Sequence, residues 1–134
     1  MNRFSELKIW QVSVDFAVDV YKLTSGYPKE ELYSLTNQTR RAAVSISSNI
    51  AEGANRNSYR DFKRFLNIAS GSAAELQTQR LIAKRLEYIN QESFDEFASV
   101  IEHIQNMNFR LQETLETKIQ QEENNVRTNK TSTT

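Results

Sequence analysis

The chain contains one proline, Pro28, and three glycines, Gly26, Gly53 and Gly71. Proline removes a backbone donor and glycine costs conformational entropy, so these residues interrupt regular structure. With so few interruptions in 134 residues, the chain favours a few long helices over many short strands.

The apolar spacing fits that limit. Trp10, Val14, Ala17 and Tyr21, joined by Val18, recur at helical spacing and predict a first helix over about Leu7 to Thr24, with Ser5 as its cap. SGYPKEE then breaks it. Leu35, Thr39, Ala42, Ala43, Ile46 and Ile50 predict a second helix over about Leu32 to Glu52, with Gly53 as a left-handed C-terminal residue. Ser58 and Asp61 have the spacing of a capping box. They open a third helix, with Phe62, Phe65, Leu66, Ala69, Ala73, Leu76 and Ala83 on its core face, that runs to about Tyr88. Ser93 and Glu96 have the same spacing and open a fourth, with Phe94, Phe97, Ile101, Ile104, Leu111 and Leu115, ending at about Gln121. The run EENNVRTNKTSTT holds one apolar residue and predicts a disordered tail. The expectation is an all-α, antiparallel up-down-up-down four-helix bundle in residues 1–121 and a tail in 122–134.

Composition removes several kinds of chemistry. There is no cysteine and a single histidine, His103, which leaves neither a thiol nucleophile nor a multi-histidine metal site. Glu102 precedes His103 directly, so the Glu-x-x-His pairs of di-iron bundles are missing. There is no glycine-rich phosphate cradle. A Ser-His-Asp arrangement would need His103 as its base, among Glu, Gln and Asn. A Glu52–Glu75 carboxylate pair is the remaining acid–base candidate, and structural ion pairing accounts for both residues more simply. The chain reads as non-enzymatic, without cofactor or metal. MNRFSELKIW lacks the apolar core of a signal peptide, and no stretch approaches the roughly 18 apolar residues of a membrane span. The expectation is a cytoplasmic protein with no membrane partner.

The second helix carries an unusual polar pattern. Gln38, Arg41, Ser45, Ser48 and Glu52 share one face, with Asn49 at its border with the core. Arg40, Val44, Ser47 and Ala51 share another. Glu52 lies at a helix C-terminus, where the macrodipole disfavours an anion. Arg41 is about 16 Å away along the axis, so the partner of Glu52 is expected from another helix or another copy. The third helix shows the opposite pattern, with Arg56, Arg60, Lys63 and Arg64 at its N-terminal end. Its run ASGSAAE, with Gly71 in mid-helix, predicts close approach of a neighbouring helix. Overall charge balances, but unevenly. Residues 40–90 hold nine Lys/Arg against four Asp/Glu, and residues 91–134 hold four against eight. The basic strip fits either phosphates or the acidic fourth helix of a neighbour.

These stretches carry a resemblance. FSELKIWQ, YPKEELYSLTNQTRRAAVSISSNIAEGANRNS and FKRFLNIASGSAAELQTQ resemble the four-helix-bundle family encoded in intervening sequences of bacterial 23S rRNA genes, also called the S23 ribosomal protein family. The segment from Gln38 to Gly53 is the most specific part. The resemblance implies a left-handed up-down bundle that assembles into a homopentamer. The family is similar in turn to the accessory variability proteins of diversity-generating retroelements, which work with a reverse transcriptase and its RNA. Arg41, Asn49, Glu52 and Glu75 match the family's polar pattern and are expected to form an interface or bundle-locking network. Arg56, Arg60, Lys63 and Arg64 are the candidate nucleic-acid-binding residues. The resulting expectation is a structural or adaptor oligomer. The alternative is an RNA binder, or the partner of a nucleic-acid-handling protein.

Overall fold

The computed structural model describes residues 4–132. Four helices make up nearly all of it: α1 (Lys8–Thr24), α2 (Leu35–Ala54), α3 (Tyr59–Arg85) and α4 (Gln91–Ser132). Single 3₁₀ turns, Phe4–Glu6 and Lys29–Glu31, precede α1 and α2. Among the described residues there is no strand. Short connections force consecutive helices to run antiparallel, which gives the up-down-up-down bundle. The α2–α3 pairing is the most extensive and the α1–α4 pairing the least. Among the described residues, no helix is long and apolar enough to cross a membrane.

Helices α2 and α3 bury the faces that their spacing predicts, from Leu35 to Ile50 and from Phe62 to Ala83. In α2 the buried Thr39 hydroxyl is satisfied by its own helix, donating to the Leu35 carbonyl at 2.7 Å, while the buried Thr36 hydroxyl meets no partner. Helix α4 contributes Ile101, Ile104, Leu115 and Ile119. It also buries Asn108, whose amide donates to the Leu66 carbonyl at 2.9 Å and accepts from Gln112 at 2.6 Å. Gln105 donates to the Ser70 carbonyl at 3.1 Å, so two side-chain bonds set the register of α3 on α4. A smaller cluster of Tyr27, Leu35, Ala83 and Ile89 closes one end of the bundle.

Helix α1 is turned from the expected register. Its core stripe is Ile9, Ser13, Phe16, Ala17, Val20 and Thr24. Of the predicted stripe only Ala17 is fully buried; Trp10 and Val14 are half-buried, and Val18 and Tyr21 are 48% and 45% exposed. The helix thus carries two adjacent apolar stripes, and the bundle buries the one with smaller side chains and two hydroxyls. Thr24 meets its need by donating to the Val20 carbonyl at 2.7 Å. Phe16 stacks edge-on with Phe97 at 5.1 Å, which ties α1 to α4.

The ends of the helices follow local chemistry. Ser58 caps α3 by accepting from the Asp61 amide at 3.1 Å. The Asp61 carboxylate does not complete the box; it accepts from Arg64 instead. Helix α4 starts earlier than its Ser93–Glu96 spacing predicts, because Asn90 caps it by accepting from the Ser93 amide at 2.8 Å. Ser5 caps nothing: Leu7 holds that position, without a side-chain bond. Helix α3 ends at Arg85, three residues short of Tyr88, in a Schellman motif. Tyr88 N–H donates to the Ala83 carbonyl, Glu87 N–H donates to the Lys84 carbonyl, and Glu87 takes φ 64°.

Gly53 has a different role from the expected left-handed cap. It lies inside α2, buried, and no glycine has positive φ. A Cβ there would lie 2.7 Å from the Phe65 Cβ and 3.2 Å from the Phe62 carbonyl oxygen. The missing side chain lets α3 cross close to α2. The tail expectation is also revised in part. Residues 122–132 continue α4, and every position from Gln120 to Lys130 is exposed. The expected disorder at 133–134 lies outside the described residues.

Candidate functional site

Helix α2 separates two surfaces. On one side, α1 leaves Trp10, Val14, Val18 and Tyr21 uncovered or half-covered, beside Val44, which is 39% exposed. Arg40 fixes this surface. Its guanidinium stacks 4.7 Å from the Tyr21 ring, and its Nε donates to the Thr24 hydroxyl at 2.8 Å.

On the other side lies a groove of about 550 Å³ between α2 and α3. Its floor is made of small side chains. Ser72 donates to the Ser45 hydroxyl at 2.8 Å, and Asn49 donates to the same hydroxyl at 2.9 Å. Arg41 and Glu75 stand on opposite walls, both exposed. Neither has a partner among the described residues, so the two charges are available to something outside the chain. Gln79, 9% exposed, lines the groove with a buried Oε1 that meets no donor. One turn before Glu75, Gly71 is exposed, and a Cβ built there would find nothing within 4 Å. The close approach predicted around Gly71 is therefore not made by any helix of this chain.

The four residues of the expected polar network are not brought into one network within the chain. Asn49 bonds to the Ser45 carbonyl and hydroxyl. Glu52 pairs with Arg56. That partner comes from the short α2–α3 connection, four residues on, rather than from another helix or copy. Arg41 and Glu75 share only the groove. His103 is exposed.

Every cation of the basic strip has a carboxylate partner. Lys63 donates to Glu116 at 2.8 Å, Arg60 pairs with Glu123, Arg64 with Asp61 and Arg56 with Glu52. The hydrogen bonds from Lys63 and then Gln120, with the Lys63 charge, hold the Glu116 carboxyl below the usual carboxylate range. Arg56 and Arg64 also stack on the Phe65 ring, at 4.8 and 4.4 Å. Two of the four cations, Arg60 and Lys63, thus meet carboxylates of the facing α4, and the other two meet carboxylates within three or four residues of themselves.

Two buried amide side chains were not anticipated from the sequence: Asn108, and Gln79 in the groove. Gln79 follows Ser72 and Leu76 at helical spacing, which places it on the edge of the core face, but its residue type gives no sign of burial.

The match to a family model, 23S rRNA-intervening sequence protein, runs over residues 5–110. It takes in α1, the groove helices α2 and α3, and the first half of α4. Among solved structures, a protein of unknown function from the S23 ribosomal protein family of Bacteroides thetaiotaomicron VPI-5482 has the same fold, with a TM-score of 0.73 and 26% identity. The similarity covers 78% of this chain and 95% of that one. No curated protein matches the sequence. The family model spans most of the chain, and the solved relative repeats its bundle: the chain belongs to the 23S rRNA-intervening sequence protein family.

Proposed function

We propose that the chain is the building block of a non-enzymatic homo-oligomer that acts as a structural or adaptor assembly in the cytoplasm. One observation carries this reading: α1 has two apolar stripes, and its own bundle buries only one. Contiguous exposed apolar surface on a soluble bundle marks an interaction site. Val18, Tyr21 and Val44 supply the exposed part of such a surface, with Trp10 and Val14 half-buried on the same stripe of α1, and Arg40 stacks on the Tyr21 ring. The family resemblance supports a homopentamer. Light scattering tests the reading. The wild-type chain runs at a multiple of its 15.5 kDa mass, and Val18→Asp, at an exposed position, reduces it to monomer with its helical circular dichroism kept. A wild-type monomer at micromolar concentration ends the reading.

RNA binding through Arg56, Arg60, Lys63 and Arg64, alone or with a nucleic-acid-handling partner, has less support. Each of the four cations already meets a carboxylate of its own chain. A phosphate backbone would have to displace those pairs before releasing counterions of its own. A gel-shift titration with structured RNA is expected to show no retardation at physiological salt. Salt-sensitive retardation that Arg60→Glu abolishes would reverse this ranking.

A further inference from the structure

The groove between α2 and α3 gathers polar side chains that the fold does not use. Its floor is closed, because the Ser45 and Ser72 hydroxyls bond to each other at 2.8 Å. Its walls are open. Asn37, Gln38, Arg41 and Glu75 line it, all exposed, and none makes a hydrogen bond or ion pair among the described residues. Water ordinarily meets exposed polar chains, so these four alone would mean little. Gln79 is different. It lines the same groove, it is 9% exposed, and its buried Oε1 meets no donor. Buried acceptors are normally satisfied, so an exception points to a missing partner. On the basic strip every cation has its carboxylate, whereas here a guanidinium and a carboxylate line one groove without pairing.

The chemistry of the lining selects its occupant. Arg41 suits a carboxylate, which a guanidinium grips through two parallel N–H bonds. Glu75 suits an ammonium. A simple anion would be repelled by Glu75, and a simple cation by Arg41, so a molecule carrying both charges fits best. The volume of about 550 Å³ is that of a small-molecule site. Such sites are usually apolar, but among the described residues Ala42 is the only aliphatic side chain in this lining and Tyr33 the only ring. An apolar body therefore has little to pack on. Gln79 calls for a donor, and a carboxamide supplies one beside an acceptor. The terminal torsion of a glutamine is soft, so the Gln79 amide can turn either end to the groove.

We infer that the α2–α3 groove binds a small zwitterion, a free α-amino acid with a carboxamide side chain. Its carboxylate sits on Arg41 and its ammonium on Glu75, and its side-chain amide pairs with Gln79 beside the two serines. Because both charges belong to one residue, a position within a peptide chain does not satisfy the site. This goes beyond the structural or adaptor role proposed above and does not depend on it.

The test titrates L-glutamine into the full chain. Calorimetry reads the dissociation constant, and NMR shifts of the Gln79 side-chain amide read the location. Saturable binding of one molecule per chain is expected, with that amide shifted. Arg41→Gln and Glu75→Gln change exposed, unpaired positions, so the fold is kept, as circular dichroism checks. Each is expected to weaken binding at least tenfold, the effect of one charge-assisted bond. N-acetyl-glutamine and glutaminamide each lack one charge and are expected to bind the wild type at least tenfold more weakly. Gln79→Met keeps the bulk; it is expected to weaken L-glutamine about threefold to tenfold and to leave L-alanine, which has no side-chain amide, unchanged. No saturation by about 10 mM L-glutamine, or binding that Arg41→Gln and Glu75→Gln leave intact, overturns the site. Equal binding of the two capped forms, or competition by inorganic phosphate, overturns the zwitterion assignment. Since the readout is ligand binding and not mass, a monomeric wild type that still binds L-glutamine removes the oligomer and leaves this site standing.

Discussion

Gly53 and Gly71 form a matched pair for one experiment, because the structure gives them opposite surroundings. A Cβ at Gly53 falls 2.7 Å from the Phe65 Cβ and 3.0 Å from the Phe62 Cδ1. The Phe65 Cβ is fixed to its backbone and cannot swing away, so α2 and α3 must move apart. Overpacking of this kind costs about 1–3 kcal/mol, and the shortness of the contact places Gly53→Ala toward the upper end. Against it stands a helix-propensity gain of about 1 kcal/mol. The net expectation is a loss of about 2 kcal/mol, from those two principles. At about 2.1 cal/mol/K per residue the whole chain unfolds with roughly 0.28 kcal/mol/K, so the midpoint falls about 7 °C. Gly71→Ala meets nothing within 4 Å. It keeps only the propensity gain of about 1 kcal/mol and rises about 3–4 °C. Both are read by thermal and urea denaturation at one protein concentration. A stabilised Gly53→Ala variant would show that the two helices do not depend on the bare backbone at that crossing.

Three further outcomes follow from single side chains. Asn108→Ala removes the buried bond to the Leu66 carbonyl and leaves a void, and urea denaturation should show a loss of about 2–3 kcal/mol; an unchanged midpoint would mean the α3–α4 register is held elsewhere. Glu87 occupies a left-handed conformation at φ 64°, so Glu87→Gly should raise stability by up to about 1 kcal/mol in the same assay, and a loss would contradict the strain. Burial pushes the Tyr27 phenol from 10.0 up to about 12. The fold prefers the neutral phenol, so its contribution is complete below pH 10 and is lost as pH rises through 12. Tyr27→Phe should flatten the loss of stability over that interval in a pH series of denaturation curves, and an equally steep fall in the variant would refute this.

The sequence revealed the bundle through α2, α3 and α4, whose predicted core faces are buried or half-buried. It misled at α1, where two apolar stripes compete and the more aromatic one is left outside the core. Bulk and aromaticity favour Trp10 and Tyr21 in any reading by hydrophobic spacing. What buries Ile9, Phe16 and Val20 instead is the shape of the facing helices, which spacing does not encode. The site was legible in pieces. Arg41 and Glu75 were singled out and do share a groove, while Asn49 and Glu52 are occupied locally. Gln79 was missed because nothing in an amide side chain marks it as buried. The two informative glycines were both noticed, Gly53 for the wrong reason, since it is not a left-handed cap. Gly53 permits an approach within the chain, and Gly71 leaves a place that this chain does not fill.

The ion pairs between α3 and α4 give the balance of charge an order in time. Lys63 and Arg60 reach Glu116 and Glu123, which lie in α4 and are synthesised after α3. Up to residue 90 the growing chain holds thirteen cations against nine anions. The balanced charge of the 134 residues is therefore reached only with the residues of α4. Before α4 is seated, Arg60 and Lys63 lack the carboxylates that they meet in the fold; once it is seated, Glu123 and Glu116 pair with them. The completed fold competes for its own cations, and how firmly α4 docks decides when that competition is won.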